Sequence, residues 1–336
     1  MKLLAPDLRP EQVFPFLNQR VFIMSINGFI NQVNRDELKK NLFYLSRDPL
    51  PFRTVLYHRP WHERSSLQEA DDFIAAYARE CGAEVNVIPN KVKPFRCNPS
   101  KPLHHWYDAP QEDDPWYDTA NIEVIIPGTE IPEEIVQLAS HKDSPSWINS
   151  PGAYDNAVGT ICNLEIIRIL AASPQKRTVR ILFCNEEHSP WHSLTYATAC
   201  AQRKDKIIAV LNNDSVSGGL TEEERARGIK RYCASWSTPE GKKLADFMVS
   251  RAAAYGLEME TKLHEKTVND DDGMFIKAGF PCAVMNIGSA PYCDKEYHLE
   301  GDIPERVDLD NLTLSVKLIL GAVCEIADAG TKVFDI

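Results

Sequence analysis

Clustered basic charge, paired cysteines and long apolar runs are all missing from this sequence, and each absence closes off a class of function. Lysine and arginine number 37 against 48 aspartates and glutamates, for a net charge of −11. A nucleic-acid groove needs concentrated basic residues, so no nucleic-acid partner is expected. The 9 cysteines are odd in number and scattered, with no C-x-x-C. Neither a disulfide framework nor a structural zinc knuckle is predicted. No stretch approaches the roughly 18 apolar residues of a membrane span. The opening "MKLLAPDLRPEQVFPFL" meets Pro6, Asp7 and Arg9 before any apolar run, unlike a secretory leader. The expected setting is the cytoplasm, away from membranes. Repeats and low-complexity tracts are lacking as well.

What is present is an ordinary globular mix, 43% apolar and 25% charged over 336 residues, enough to bury a sizeable core. Residues 1–60 read as a helical lead-in, helical over 10–45 with a polar break near Asn27 and Gly28. "SSLQEADDFIAAYARECGAEVNVI" reads as a helix capped by Ser65 or Ser66, then a strand over Val85–Ile88. Residues 90–120 carry five prolines and the polar run "QEDDPWYD", and read as a long loop insertion holding Trp106 and Trp116. Beyond it, strands alternate with helices. "NIEVIIPG" and "EEIVQLAS" are expected to pair as a hairpin through Pro127-Gly128. "NAVGTICNLEIIRILAA" is apolar nearly all round and reads as a buried helix. "RTVRILFC", "KIIAVLNND", "EMETKL" and "PCAVMNI" follow as strands, with helices between them and a last helix from about Leu309. Such alternation predicts an α/β fold, a largely parallel sheet with helices on both faces. Sites in such sheets gather at the carboxyl ends of the strands.

Those ends carry the chemistry. After "EEIVQLAS" come His141 and Asp143; "SPGAYDNAVG" delivers Asp155 to the mouth of the buried helix. After "RTVRILFC" come Glu186 and Glu187, after "KIIAVLNN" comes Asp214, and "KEYHLEGD" holds His298. Nitrogen and oxygen donors without thiolate match zinc at a catalytic site. The supply exceeds the three protein ligands of one open tetrahedral ion and suits a pair of ions. His141 and Asp143 face the same way on a strand, so Asp143 can orient the imidazole. Asp155 at a helix start is a natural bridge. Two adjacent carboxylates are costly together, and dipositive ions offset that cost. One can ligate while the other takes a proton from water.

Together these residues resemble the zinc aminopeptidase family that includes bacterial leucyl-type enzymes and, as relatives, glutamate carboxypeptidases and glutaminyl cyclases. The matching stretches are "HKD", "GAYDNA", "NEE", "NND", the distal "YH" and "DDGMFIKAGFPCAVM", spread over residues 120–328. The resemblance implies a three-layer α/β/α domain spanning 1–336, with a central mixed, mostly parallel sheet of about eight strands. It implies that His141 and Asp214 hold one zinc, Glu187 and His298 a second, with Asp155 bridging. Glu186 is then the general base, Asp143 orients His141, Asp271 lies near the substrate, and the Asp155-Asn156 peptide is cis. Two departures stand out: bulky Trp191 follows the paired glutamates, and Asp272 replaces a histidine.

The expected activity is hydrolysis of N-terminal peptide bonds with two zinc ions per chain and a peptide as partner. Trp191, Tyr292 and Tyr297 are expected to line the pocket for the first side chain. The same ligands also serve a glutaminyl cyclase with one zinc or a carboxypeptidase of the same family. A non-catalytic binding module would be expected to have lost ligands, and none is lost here. The sequence leaves a homo-oligomer open.

Overall fold

The computed structural model describes residues 26–288 and 293–334. It opens on α1 (Ile26–Ile30) and α2 (Arg35–Ser46). The helical break falls after Ile30 rather than at Asn27-Gly28. Its cause is Asn34, whose side chain accepts the N–H groups of Asp36 and Glu37 and so starts α2. Residues 10–25 of the expected helical segment lie outside the described residues. α3 (Ser66–Glu80) begins in a capping box formed by Ser65 and Gln68.

β1 (Glu84–Pro94) runs well beyond Ile88. A small antiparallel pair follows, β2 (Arg96–Cys97) with β3 (Tyr107–Asp108), and then β4 (Tyr117–Ile126). β1 is zipped to β4 from Glu84↔Ile125 to Val92↔Tyr117, which narrows the loop expected over 90–120 from both sides. β5 (Ile131–His141) does not form a hairpin with β4. After α4 (Val158–Ala171), β6 (Arg177–Cys184) inserts between them, antiparallel to β4 and parallel to β5. β6 is buried along its whole length. A strand buried on both faces belongs in the middle of a sheet, and that long-range demand overrides the local Pro-Gly turn signal.

The chain continues through β7 (His188–Ser189), α5 (His192–Arg203), β8 (Lys206–Asn213) and α6 (Glu222–Ala226). Next come β9 (Arg231–Trp236), which the sequence reading passed over, α7 (Pro239–Ala254), β10 (Glu260–Glu265) and α8 (Asp270–Lys277). β11 (Ala283–Ile287) and α9 (Leu309–Ala329) complete the fold. The strands form one 9-stranded sheet in the order β10-β9-β11-β8-β5-β6-β4-β1-β7. Pairing is parallel in β10–β9, β11–β8, β8–β5 and β5–β6, and antiparallel in β9–β11, β6–β4, β4–β1 and β1–β7.

Side-chain alternation divides the core between the two faces. Leu138, Val179, Ile181 and Phe183 pack with α2, α3, α4 and α9 in the larger cluster. Ala139, Leu182 and Cys184 pack with Tyr196, Ala197 and Phe275 of α5 and α8 on the other face. Each large side chain so buried contributes roughly 1.5–3 kcal/mol. The fold is therefore the three-layer α/β/α arrangement. β5, β6, β8 and β11 point the same way, so their carboxyl ends share one edge. Among the described residues no helix is long and apolar enough to cross a membrane.

Candidate active site

Two glycines let the strand ends approach. Gly152 sits at φ +56, and a Cβ there would meet the Asp155 carbonyl at 2.3 Å. A Cβ on Gly159 would lie 2.0 Å from the carbonyl of Asn213. The start of α4 is thereby pressed against the end of β8, and the Asn156 side chain fastens the joint. Asn156 Nδ2 donates to Asn213 O at 3.0 Å, and its Oδ1 accepts the N–H groups of Gly159 and Ser215. The Asp155-Asn156 peptide is cis.

At this joint the five expected ligand residues and Glu186 converge. His141 Nε2 lies 3.0 Å from Asp155 Oδ1 and 3.5 Å from Asp214 Oδ1. His298 Nε2 lies 3.0 Å from Asp155 Oδ2 and 3.4 Å from Glu187 Oε1. Each oxygen of Asp155 thus faces a different histidine. Ligand-capable atoms of His141, Asp155 and Glu187 all lie within 4.8 Å of one another, as do those of His141, Glu186 and Asp214. All six residues are buried. Glu186 Oε2 has no hydrogen-bond partner, and Asp155 Oδ2 and His298 Nε2 meet as an ion pair at 3.0 Å outside hydrogen-bond geometry, a costly state for buried polar atoms unless a further group completes them.

Asp143 does more than orient His141. Its Oδ1 accepts from His141 Nδ1 at 3.2 Å and from the Glu186 N–H at 3.0 Å. Its Oδ2 accepts from the Glu187 N–H at 2.9 Å and from His188 Nδ1 at 2.7 Å. One carboxylate therefore fixes the directions in which both glutamates leave the backbone. Burial alone would raise its pKa; the hydrogen bonds from His141 and His188 outweigh burial and hold it below the usual carboxylate range.

The electrostatics follow from burial and crowding. Burial disfavours charge on both imidazoles, yet Asp143, Asp155 and Asp214 hold His141 well above its ordinary pKa. Glu187 and Asp155 do the same for His298, to about 10. Burial first, then nearby Asp271 and Asp270, push Glu186 well above the ordinary value, and burial pushes Glu187 to about 7.

A cavity of about 200 Å³ opens over the cluster, walled by Glu186, Asp214, Tyr154, Met285, Ile287 and Tyr297 among others. Tyr297 stands where the sequence reading expected a pocket residue. Trp191 is not on this wall; it precedes α5 as its N-cap residue. Asp271 is not on it either: it is buried, accepting from Cys184 Sγ at 3.0 Å, and its neighbour Asp270 faces the cavity. Tyr292 lies outside the described residues.

The model of peptidase family M28 matches residues 121–323, the span that holds every strand end described above. The chain belongs to peptidase family M28. Among family relatives, a probable aminopeptidase of Saccharomyces cerevisiae is 28% identical over 218 residues, covering 61% of this chain and 57% of that protein's own length. A zinc aminopeptidase structure from Bacillus subtilis superposes with a TM-score of 0.67 at 15% identity, covering 90% of this chain and 98% of that one. A glutaminyl cyclase structure from Porphyromonas gingivalis gives 0.65 at 17% identity, covering 88% and 99%. The two structures share the fold of this chain.

Within the family fold, three residues have supporting roles that the sequence does not reveal; His188, which by its place after the glutamates could have lined the substrate site, is one of them. Asp302 accepts the N–H groups of Tyr154 and Asp155 at 2.8 and 3.1 Å, orienting the central carboxylate. His188 accepts from Val55 N–H at Nε2, which leaves Nδ1 to donate to Asp143. Arg53, fully buried, donates to the carbonyls of Lys142, Leu45, Pro151 and Gly152. "LSRDPLPFRTV" resembles the family's N-terminal approach only loosely, and the roles of Arg53 and Asp302 become readable only when the chain is folded.

Proposed function

We propose that this chain is a zinc-dependent aminopeptidase, holding two ions and using Glu186 as general base. The observation that carries this reading is the split of Asp155 between two histidines. His141 Nε2 faces one oxygen and also Asp214, and His298 Nε2 faces the other and also Glu187. Two donor sets with one carboxylate between them would suit a pair of ions. The buried Asp155 Oδ2 and His298 Nε2, paired at 3.0 Å without hydrogen-bond geometry, fit such occupants, and the all nitrogen and oxygen donor set suits zinc.

What the ions supply when bound is Lewis acidity toward the scissile carbonyl and toward water. The chain supplies the rest. Glu186 accepts the proton of the attacking water and passes it to the leaving amine nitrogen. Asp214 and Asp270 make the cavity anionic where a substrate's terminal ammonium would sit. Tyr154, Met285, Ile287 and Tyr297 offer apolar surface to the first side chain. A carboxypeptidase would need a basic group for a free carboxylate. The lysine on this wall, Lys266, is already engaged by Asp270, Asp272 and the Asn269 carbonyl at 2.8–2.9 Å, which favours the amino-terminal reading.

The test is a zinc titration of stripped protein followed by hydrolysis of aminoacyl anilides. The expected result is activity that peaks at two ions per chain and release of free amino acid. Saturation at one ion with pyroglutamate formed from N-terminal glutamine would instead make the chain a cyclase.

Metal loading has a second signature. At pH 7 the metal-free imidazoles of His141 and His298 are held protonated by their carboxylate neighbours, and a metal accepts only the neutral ring. Zinc uptake at pH 7 is therefore expected to release more than two protons per chain, one from each imidazole and the rest from Glu186 and Glu187, whose carboxyls burial holds partly or wholly protonated without metal, with affinity rising as pH rises. Calorimetry in buffers of different ionisation enthalpy measures the number, and a value near zero contradicts the ligand assignment.

A further inference from the structure

The two halves of the cluster are supported by different parts of the fold. His141 is held by Asp143 and, through its own carbonyl, by Thr160 Oγ1 at 3.2 Å. Asp214 follows β8, where its N–H donates to Asn286 O at 3.1 Å and an Asn286–Asn213–Asn163 side-chain chain locks the strand ends. These anchors belong to the central sheet and α4.

The Glu187 and His298 half is held from outside the sheet, by the segment between β1 and β4. His298 Nδ1 donates to the carbonyl of His104 at 2.8 Å, leaving Nε2 toward Asp155 and Glu187. In return, His104 Nδ1 donates to the carbonyl of Tyr297 at 2.5 Å. This reciprocal pair requires His104 to sit at φ +71, a conformation uncommon for a non-glycine residue. Tyr107 and Trp147 stand edge-on to the His298 ring, at 5.8 and 5.1 Å between centroids. The same segment reaches Glu187: the Phe95 N–H donates to Ser146 Oγ at 2.8 Å, and Ser146 Oγ donates to the Glu187 carbonyl at 2.6 Å.

Residues 98–106 are the loop of the β2–β3 hairpin, and the loop is braced internally. Asn98 N–H donates to Trp106 O, Trp106 Nε1 to Lys101 O, and Lys101 Nζ to Tyr107 O. The loop is thus a stiff arm bearing on His298.

We propose that residues 98–106 clamp His298, with His104 as the positioning residue, and set the zinc affinity of the Glu187/His298 subsite independently of the His141/Asp214 subsite. The selectivity rests on the two-ion reading above. A metal-bound imidazole is commonly oriented by an acceptor on its other nitrogen. Here that acceptor is a loop carbonyl contributed from 194 residues away.

The β2–β3 register, Arg96↔Asp108 and Cys97↔Tyr107, allows residues 98–106 to be replaced by a two-residue Asn-Gly turn. This keeps Tyr107 in place and removes the His104 carbonyl. His104→Gly is the milder companion, because glycine accepts the backbone conformation and keeps the carbonyl while losing the ring's bond and its contact with Tyr297. Zinc binding to stripped protein is measured by calorimetry, with Glu187→Ala marking which binding step belongs to the outer subsite. The loop replacement is expected to weaken that step about 10–100-fold and leave the other unchanged; His104→Gly shifts the same step less. Equal weakening of both steps, or of neither, overturns the clamp. Wild-type stoichiometry reads the two-ion site separately. If wild type binds one ion, the two-ion reading fails and the clamp is still decided: an ion that Glu187→Ala releases is expected to bind more weakly after the loop replacement, and unchanged affinity, or an ion that Glu187→Ala leaves in place, overturns the clamp.

Discussion

Glu186→Gln is expected to keep both zinc ions and to lower kcat by about 10²–10⁴-fold, the usual contribution of a positioned proton-transfer group. The substitution preserves shape and removes the ability to accept a proton. Glu186 is buried, its Oε2 has no partner, and its backbone N–H is fixed by Asp143. Its carboxyl therefore has one defined place from which to act on water in the cavity. Burial and the nearby Asp271 and Asp270 hold its pKa high in the metal-free chain; dipositive ions alongside would act in the opposite direction and return it to the working range. The zinc count discriminates between two roles. Glu186 also lies within ligand distance of His141 and Asp214. If the glutamine variant holds one ion fewer, Glu186 is a ligand. If it holds both and turns over at nearly the wild-type rate, Glu186 is not the base.

The convergence was legible because five of the six side chains end or closely follow an apolar strand or open the buried helix; His298, between β11 and α9, was placed by the resemblance of "YH" to the family's distal histidine. Strand periodicity and the rule that parallel sheets gather function at their carboxyl ends suffice to place His141, Glu186, Glu187 and Asp214 on one edge. Pairing was less legible. The Pro127-Gly128 turn between β4 and β5 is a strong local signal, but β6 needs a neighbour on each side, and that requirement is visible only when all strands are laid together. β9, "RYCASW", lacks β-branched residues and strict alternation, so nothing local marks it. The supporting residues were hidden for a different reason. Asp302, His188, Arg53 and His104 act on backbone groups or on other supporting side chains far along the chain, and their contacts leave no spacing to read. Trp191 and Asp271 were placed by motif neighbourhood; the direction in which α5 and α8 leave the site turns them away from the cavity wall.

Arg53→Met is expected to destabilise the chain by about 3–5 kcal/mol, the cost typical of leaving buried charge unpaired. Methionine replaces much of the side chain's apolar volume, so a cavity would not account for the loss. Two other effects would. The guanidinium binds four carbonyls from three segments: Leu45 at the end of α2, Lys142 between His141 and Asp143, and Pro151 with Gly152 just before Asp155. Each carbonyl is left short of a donor. Its charge also faces Asp143, Asp302 and Asp155; burial lowers the Arg53 pKa to about 10, which still leaves it charged at neutral pH. Removing it leaves those carboxylates to repel one another until metal is bound. The deficit should therefore be larger in zinc-free protein than in loaded protein, since the ions supply the missing positive charge. Arg53→Lys should not restore stability, because a point charge on a flexible stem cannot span four carbonyls set by a planar fork. Denaturant titrations with and without zinc measure all three statements. A loss below about 1 kcal/mol in the zinc-free protein, or full rescue by lysine, would show that Arg53 is not what ties the arms of this site together.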